Sequence, residues 1–200
     1  MKPLQLPGIE AYAMDKTRPE PPQLTELEAR TWASMKNPQM ITGRLEGRLL
    51  KLLVQICRPQ LVLELGTFTG YSALSMAEGL PDGGRIITCD VDPIARDVAQ
   101  AAFDESPFGD RIELRMGPAL DTLRALDETV DFAFVDADKL NYRAYYEEIL
   151  TRARSGSVIL FDNMLWSGRV LEPADDEDRA LDALNTKIAG DDRVENVLLT

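Results

Sequence analysis

The sequence predicts an α/β fold: a mainly parallel, doubly wound sheet with helices on both faces. Short apolar runs rich in β-branched residues alternate with stretches of helical period, the pattern of strand–helix–strand units. One run, Leu61-Val-Leu-Glu-Leu65, reads as a strand buried on both faces and leads through Gly66 and Gly70 into a helical pattern. Strand, glycine turn, helix is how open α/β folds hold a nucleotide-like ligand at a strand's carboxyl end. Acidic residues also mark the ends of the runs, at Glu64, Asp90, Asp136 and Asp162. With right-handed crossovers these ends share one edge of the sheet.

Residues 1–22 hold five prolines and read as an extended arm. Residues 23–36 suit a polar helix stopped before Pro38. Residues 43–57 suit a second, with Leu45, Leu49, Leu52, Leu53 and Ile56 on one apolar stripe. After the opening strand, residues 71–79 are helix, closed by the turn cluster Leu80-Pro-Asp-Gly-Gly84. Strand 85–90 and helix 93–104 follow, with Asp92 or Pro93 at the helix start. Then come strand 112–116, a short helix over 119–126, and strand 132–136. Tyr142, Tyr145, Tyr146, Ile149, Leu150 and Ala153 keep a helical period. Strand 157–162, a loop from Trp166 into the acidic cluster at 175–178, a helix to Ala189 and a last strand over 194–200 complete the chain. The expectation is a single domain over 1–200: the arm, helices over 23–58 and the α/β core over 59–200.

The composition excludes much. The 200 residues include no histidine, which removes Ser-His-Asp and Cys-His chemistry and imidazole-bound zinc. Any metal must be a hard cation held by oxygen. A net charge of −12 without a basic stripe argues against nucleic acid. No run approaches the roughly 18 apolar residues of a membrane span, and no secretory h-region opens the chain. Two cysteines, Cys57 and Cys89, read as small buried hydrophobes in a reducing cytoplasm.

Four carboxylates on one edge would raise one another's pKa unless hydroxyls, cations or a metal compensate. Each also has a plainer reading as a cap for the helix that follows, above all Asp90. For Asp162 the cap reading is weaker, because Asn163 adds a second oxygen donor. Asp136 with Asp162-Asn163, on strands expected to be adjacent, makes a reasonable Mg²⁺ site. Gly66-Thr-Phe-Thr-Gly70 is neither the dinucleotide fingerprint nor a phosphate loop, so the turn is not built for a pyrophosphate. A carboxylate at Glu64 suits a ligand amine.

Five ordered blocks resemble a known family: residues 63–72, 89–93, 117–121, 131–139 and 161–166. They are similar to the cation-dependent O-methyltransferases, a group that includes caffeoyl-CoA and catechol O-methyltransferases and small bacterial enzymes. The resemblance covers about residue 35 to the end. It implies a Rossmann-like class I methyltransferase fold. By resemblance, Glu64, Gly66 and Ser72 hold S-adenosylmethionine near its amino acid end, Thr67 and Asp136 also belong to the cofactor site, and backbone at Thr42 closes over it. Asp90 accepts the ribose hydroxyls, and Ala119 meets the adenine through backbone. Asp136, Asp162 and Asn163 bind Mg²⁺ or a similar ion such as Ca²⁺ or Mn²⁺, and Lys139 is the catalytic base. Asn141, Tyr142, Trp166 and Arg169 border the acceptor. The resemblance also implies a small phenolic acceptor and a homodimer.

Family members carry a further Asp-Gly turn and antiparallel strand after the segment matching 194–200. Here the sequence either is shortened or finishes its sheet differently, with an exposed edge. The physics fits the resemblance, since a sulfonium methyl is already activated and the task is to position and deprotonate an oxygen. A metal chelating two adjacent hydroxyls does both, with Lys139 taking the proton. The leading rival is an NAD(P)-dependent oxidoreductase, since Asp90 would serve any ribose. A nucleic-acid methyltransferase and a non-catalytic cofactor-binding module are further rivals, opposed by the charge and by the intact Lys139 and metal ligands.

Overall fold

The computed structural model describes residues 6–199. Its centre is a five-stranded, all-parallel sheet in the order β3-β2-β1-β4-β5. The strands are β1 (Leu61–Leu65), β2 (Arg85–Asp90), β3 (Ile112–Met116), β4 (Val130–Val135) and β5 (Ala153–Phe161). The chain builds outward from β1 through β2 to β3, then crosses back to lay β4 on the other side of β1. That reversal falls between β1 and β4, whose carboxyl ends are the usual ligand position in such sheets.

Side-chain alternation divides the core between the two faces. Leu61, Leu63 and Leu65 pack with Ala133 and Val135 against α6 (Ala119–Ala125), α7 (Tyr142–Leu150) and α8 (Asp176–Ala189). Val62, Ile86, Phe132 and Phe134 face α3 (Gly43–Cys57) and α4 (Tyr71–Ala77). In β1, every residue is buried, which is why its sequence is apolar on both faces apart from Glu64. A third cluster seats α2 (Pro22–Ser34), through Leu24 and Leu27, on α4 and on α5 (Pro93–Asp104).

The expected elements are present, with five differences. The arm over 1–22 contains an exposed helix, α1 (Ile9–Lys16), between Pro7 and Pro19; its first five residues lie outside those described. The apolar stripe of α3 points largely away from the core: Leu49, Leu52 and Ile56 are exposed, whereas Gly47, Leu50 and Val54 are buried. Gly47 sets that choice, because a Cβ there would meet Ser75 Oγ at 2.7 Å and Tyr71 Cε1 at 2.8 Å. β5 starts four residues before the expected position and bulges opposite β4, with Gly156 at φ 91° and Ser157 Oγ donating to Val130 O at 2.7 Å. The loop after Trp166 is a kinked 3₁₀ turn, Trp166–Leu171.

The last difference is at the end of the chain. Residues 194–199 form no strand; Val197 and Leu199 are exposed, and Thr200 lies outside the described residues. A strand needs a ladder partner, and β5 is left as the sheet edge among the described residues.

The turn after β1 packs tightly against the chain leaving β4. Gly66 has φ 97°, and a Cβ on it would lie 1.9 Å from the carbonyl oxygen of Asp136. Backbone cannot yield as a flexible side chain can, and the left-handed conformation adds its own cost. Gly66→Ala is expected to destabilise the fold by about 3 kcal/mol or more in urea unfolding. A loss below about 1 kcal/mol would show that the turn has slack.

Candidate active site at the carboxyl edge of the sheet

Main-chain hydrogen bonds continue past the strand ends and lock the edge into one row. Gly66 N donates to Cys89 O at 3.0 Å, Asp136 N to Leu65 O at 2.8 Å, and Asp162 N to Val135 O at 3.0 Å. The predicted acidic residues therefore stand at successive strand ends: Asp90 on β2, Glu64 within β1, Asp136 just past β4 and Asp162 just past β5.

Glu64 is fully buried, facing α4. A hydroxyl chain supports one of its oxygens: Thr88 Oγ1 donates to Oε2, and Thr67 Oγ1 lies 2.6 Å from Thr88 Oγ1. Since the Thr88 proton is committed to Glu64, Thr67 is the donor in that pair. Thr67 thus supports the carboxylate from behind. The other oxygen, Oε1, has no partner. Burial pushes the Glu64 carboxyl up to about 8, against the opposing effect of Ser72 and Thr88. A buried, half-satisfied carboxylate fits a ligand ammonium group that brings both charge and N–H donors.

Asp90 is not a helix cap. Its Oδ2 accepts from Phe68 N at 2.7 Å, tying the glycine turn to β2, and its Oδ1 accepts from Val91 N and Asp92 N. The cap of α5 is Asp92, which accepts from Ile94 N at 2.8 Å. Oδ1 has both lone pairs taken, and Oδ2, with one donor, keeps capacity for a ligand hydroxyl. Ala119 begins α6 beside Gly117, whose N donates to Asp90 O at 2.9 Å. Thr42 sits half-buried at the start of α3.

β4 and β5 bring Asp136 and Asp162 side by side, with Asn163 next in chain at φ 60°. Burial, followed by the charge of Asp136, raises the Asp162 carboxyl above the usual range. Lys139 is 6% exposed, and its Nζ lies 2.9 Å from Asp136 Oδ1. Glu46, in the first turn of α3, faces the same cluster. Its carboxyl is pushed up to about 8 by burial first, then by Asp162 and Asp136. The sequence reading missed Glu46, whose only local signal was an acid at a helix start, where the dipole favours one anyway.

Three carboxylates thus converge with one lysine. Among the described residues no three acidic, histidine or cysteine side chains are close enough to hold an ion by themselves. The third donor would be the amide oxygen of Asn163. Two carboxylates, an amide oxygen and uncompensated negative charge fit a hard divalent cation.

Of the expected acceptor residues, Tyr142 is enclosed, and Arg169, 5.7 Å from the Trp166 ring, is held by acids. Tyr142 is fully buried, its ring 5.5 Å from that of Phe161, so it borders no open space. Burial, reinforced by Asp136 and Asp162, keeps its hydroxyl protonated. Arg169 is ion-paired with Asp175 and with buried Asp178, the two residues of the capping box of α8. Asn141 is exposed and donates to Asp138 Oδ2 at 2.6 Å. Trp166 keeps a position at the site: its ring lies 5.5 Å from Lys139 Nζ, and its buried Nε1 has no partner.

Over residues 14–200 the chain matches the family described as O-methyltransferase. It is 38% identical over 167 residues to catechol O-methyltransferase domain-containing protein 1 of Mus musculus, covering 81% of this chain and 63% of that protein. The chain thus spans under two thirds of that relative's length. It is 36% identical over 192 residues to caffeoyl-CoA O-methyltransferase 2 of Zea mays, covering 88% and 72%. The structure of the O-methyltransferase from Bacillus cereus in complex with SAH superposes with a TM-score of 0.86 at 33% identity, covering 92% and 86%.

The buried Glu64 has a measurable signature without any ligand. Its carboxyl titrates at about 8 in the fold against an ordinary 4.5, so between those values the folded chain holds a proton that the unfolded chain has lost. Its contribution therefore falls as pH rises through that window and levels above it. Glu64→Gln is expected to remove this slope, melting about 3 °C or more above wild type at pH 8.5 and close to it at pH 4.5. Parallel melting curves for the two proteins across this range would contradict the assignment.

Proposed function

The chain belongs to the O-methyltransferase family, and we propose that it transfers the methyl group of S-adenosylmethionine to a hydroxyl of a small catechol-like or hydroxycinnamoyl acceptor, with a divalent cation. The observation that carries this reading is the cluster at the ends of β4 and β5, where Asp136, Asp162 and Asn163 meet beside buried Lys139. Glu64 and Ser72 receive the cofactor's amino acid end, Gly66 lets backbone approach it, and Thr42 closes over it. Asp90 takes the ribose hydroxyls, and the Ala119 backbone meets the adenine. Asp136, Asp162 and Asn163 hold Mg²⁺ or a similar ion.

When bound, the sulfonium supplies an activated methyl, and the cation supplies the Lewis acidity that makes an acceptor hydroxyl easier to deprotonate. The chain's own task is to orient and to move one proton. Lys139 Nζ takes it as the acceptor O–H bond breaks. The oxygen's electron pair then forms the bond to carbon, and the carbon–sulfur pair leaves with the thioether. The oxidoreductase alternative is not favoured, because Thr67 and Phe68 occupy the places where a dinucleotide needs glycine. A cytoplasmic location belongs to the same reading, supported by two free cysteines; among the described residues no helix is long and apolar enough to cross a membrane.

With a catechol acceptor, methyl transfer is expected to stop on chelation and return with Mg²⁺. Asp162→Ala is expected to lower kcat/KM by about a hundredfold or more, the several kcal/mol a Lewis acid supplies. S-adenosylhomocysteine should still bind this variant in calorimetry. Activity indifferent to chelator would remove the metal from the reading.

We further propose a homodimer that uses the outward face of α3, where Leu49, Leu52 and Ile56 are 49%, 54% and 74% exposed. An apolar row of this kind on a helix favours burial against a partner. Light scattering should give twice the 22.3 kDa chain mass for wild type, and the single mass for the double variant Leu52→Lys, Ile56→Lys. A monomeric wild type at high concentration would dismiss the assembly.

A further inference from the structure

Tyr142 is enclosed by protein, yet its hydroxyl lies where three elements of the candidate site meet. Its oxygen is 3.1 Å from the carbonyl oxygen of Val135, the last residue of β4, and 3.3 Å from that of Asp162, just past β5. The same oxygen accepts from Lys139 Nζ. A phenol has one proton, and here both carbonyls can take only a donor. The Tyr142 proton is therefore committed to the strand ends, and toward Lys139 its oxygen can only accept.

This restricts the lysine in a useful way. Asp136 Oδ1, at 2.9 Å, and the Tyr142 oxygen each accept an N–H bond from Nζ. The rings of Tyr142 and Trp166, 4.5 Å and 5.5 Å from Nζ, close two further directions. The nitrogen is thus held from several sides at once.

We propose that Tyr142 is a positioning residue for proton transfer: together with Asp136 it holds Lys139 Nζ at the fixed point from which it meets the acceptor hydroxyl. The inference rests on the methyl-transfer reading above, in which Lys139 takes that proton. The balance is simple. The acceptor O–H bond breaks, its proton forms a third N–H bond on Lys139, and its electron pair stays on oxygen for attack on the methyl carbon. Tyr142 loses and gains nothing. Its contact is with the Lys139 nitrogen, not with the acceptor or the methyl donor.

The test uses the full chain with Mg²⁺, S-adenosylmethionine and a catechol. Tyr142→Phe keeps the ring against Phe161 and Tyr145 and removes only the hydroxyl. Its kcat is expected to fall about tenfold to a hundredfold, the cost of a misoriented reacting group. KM for both substrates, and calorimetric affinities for S-adenosylhomocysteine and Mn²⁺, should stay within about twofold, since no binding contact is lost. A second arm separates orientation from general loosening. If Tyr142 acts through Lys139, the double variant Lys139→Ala, Tyr142→Phe will be no slower than Lys139→Ala alone.

An undiminished kcat in Tyr142→Phe overturns the inference, as does a further loss of the same size in the Lys139→Ala background. Weakened cofactor and metal binding with kcat intact would make the hydroxyl only a strap between strands, which also overturns it. Wild-type protein that transfers no methyl group to any catechol, cation present, overturns the functional reading and this inference together.

Discussion

A carboxylate with no access to water, at the end of the central strand, is the constraint on which the rest of the edge depends. Leaving Glu64 there unpaired would be costly, so the surrounding chain is arranged around it. Thr88 on β2 and Thr67 in the turn supply a hydroxyl chain to one oxygen. For Thr67 to reach Thr88, the chain must turn at once after Leu65, which requires the left-handed Gly66 pressed against the Asp136 carbonyl. That contact in turn fixes where β4 ends and where Asp136 begins. One buried carboxyl thus sets the spacing between the proposed cofactor side of the edge and the proposed chemical side.

How much of this could be read from sequence depended on whether the signal was local. The five strands were legible because parallel strands are apolar on both faces and their bounding turns are rich in glycine and proline. The four acidic ends were legible because a parallel sheet carries every strand end to one edge, whatever the helices do. The orientation of α3 was not. Its leucines form a stripe at the right period, but the face that packs is set by Gly47 meeting Tyr71 and Ser75, a contact with a helix more than twenty residues away. Exposed Leu49, Leu52 and Ile56 follow from that close approach.

The same distinction runs through the site. Asp136, Asp162 and Asn163 sit at strand ends, where position follows from topology. Glu46 reaches the cluster from another element and had no local mark apart from its charge. The resemblance puts Arg169 at the acceptor in the loop with Trp166, and two acids at the start of α8 hold it there. The resemblance puts Tyr142 at the acceptor. A helical turn carries its ring into the core with Tyr146 and Ile149, with its hydroxyl and one ring face against the lysine.

Electrostatics and backbone geometry point to the same place. Glu46, Asp136 and Asp162 outnumber Lys139, and burial keeps water from screening the excess, so the raised carboxyls of Glu46 and Asp162 express an unmet demand for positive charge. Directly beyond, Asn163, Trp166 and Ser167 all adopt positive φ without being glycine. Such conformations cost about 1–3 kcal/mol each and persist only where the surroundings over-determine them. Here the surroundings are the hydrogen bond from Trp166 N to Asn163 O at 2.8 Å and the Asn185 amide on Met164 O at 2.9 Å. A chain selected for stability alone would relax both the charge excess and the strained loop. Their coincidence at the ends of β4 and β5, away from the buried acid on β1, separates the edge into a part built on one half-satisfied carboxyl and a part with excess negative charge.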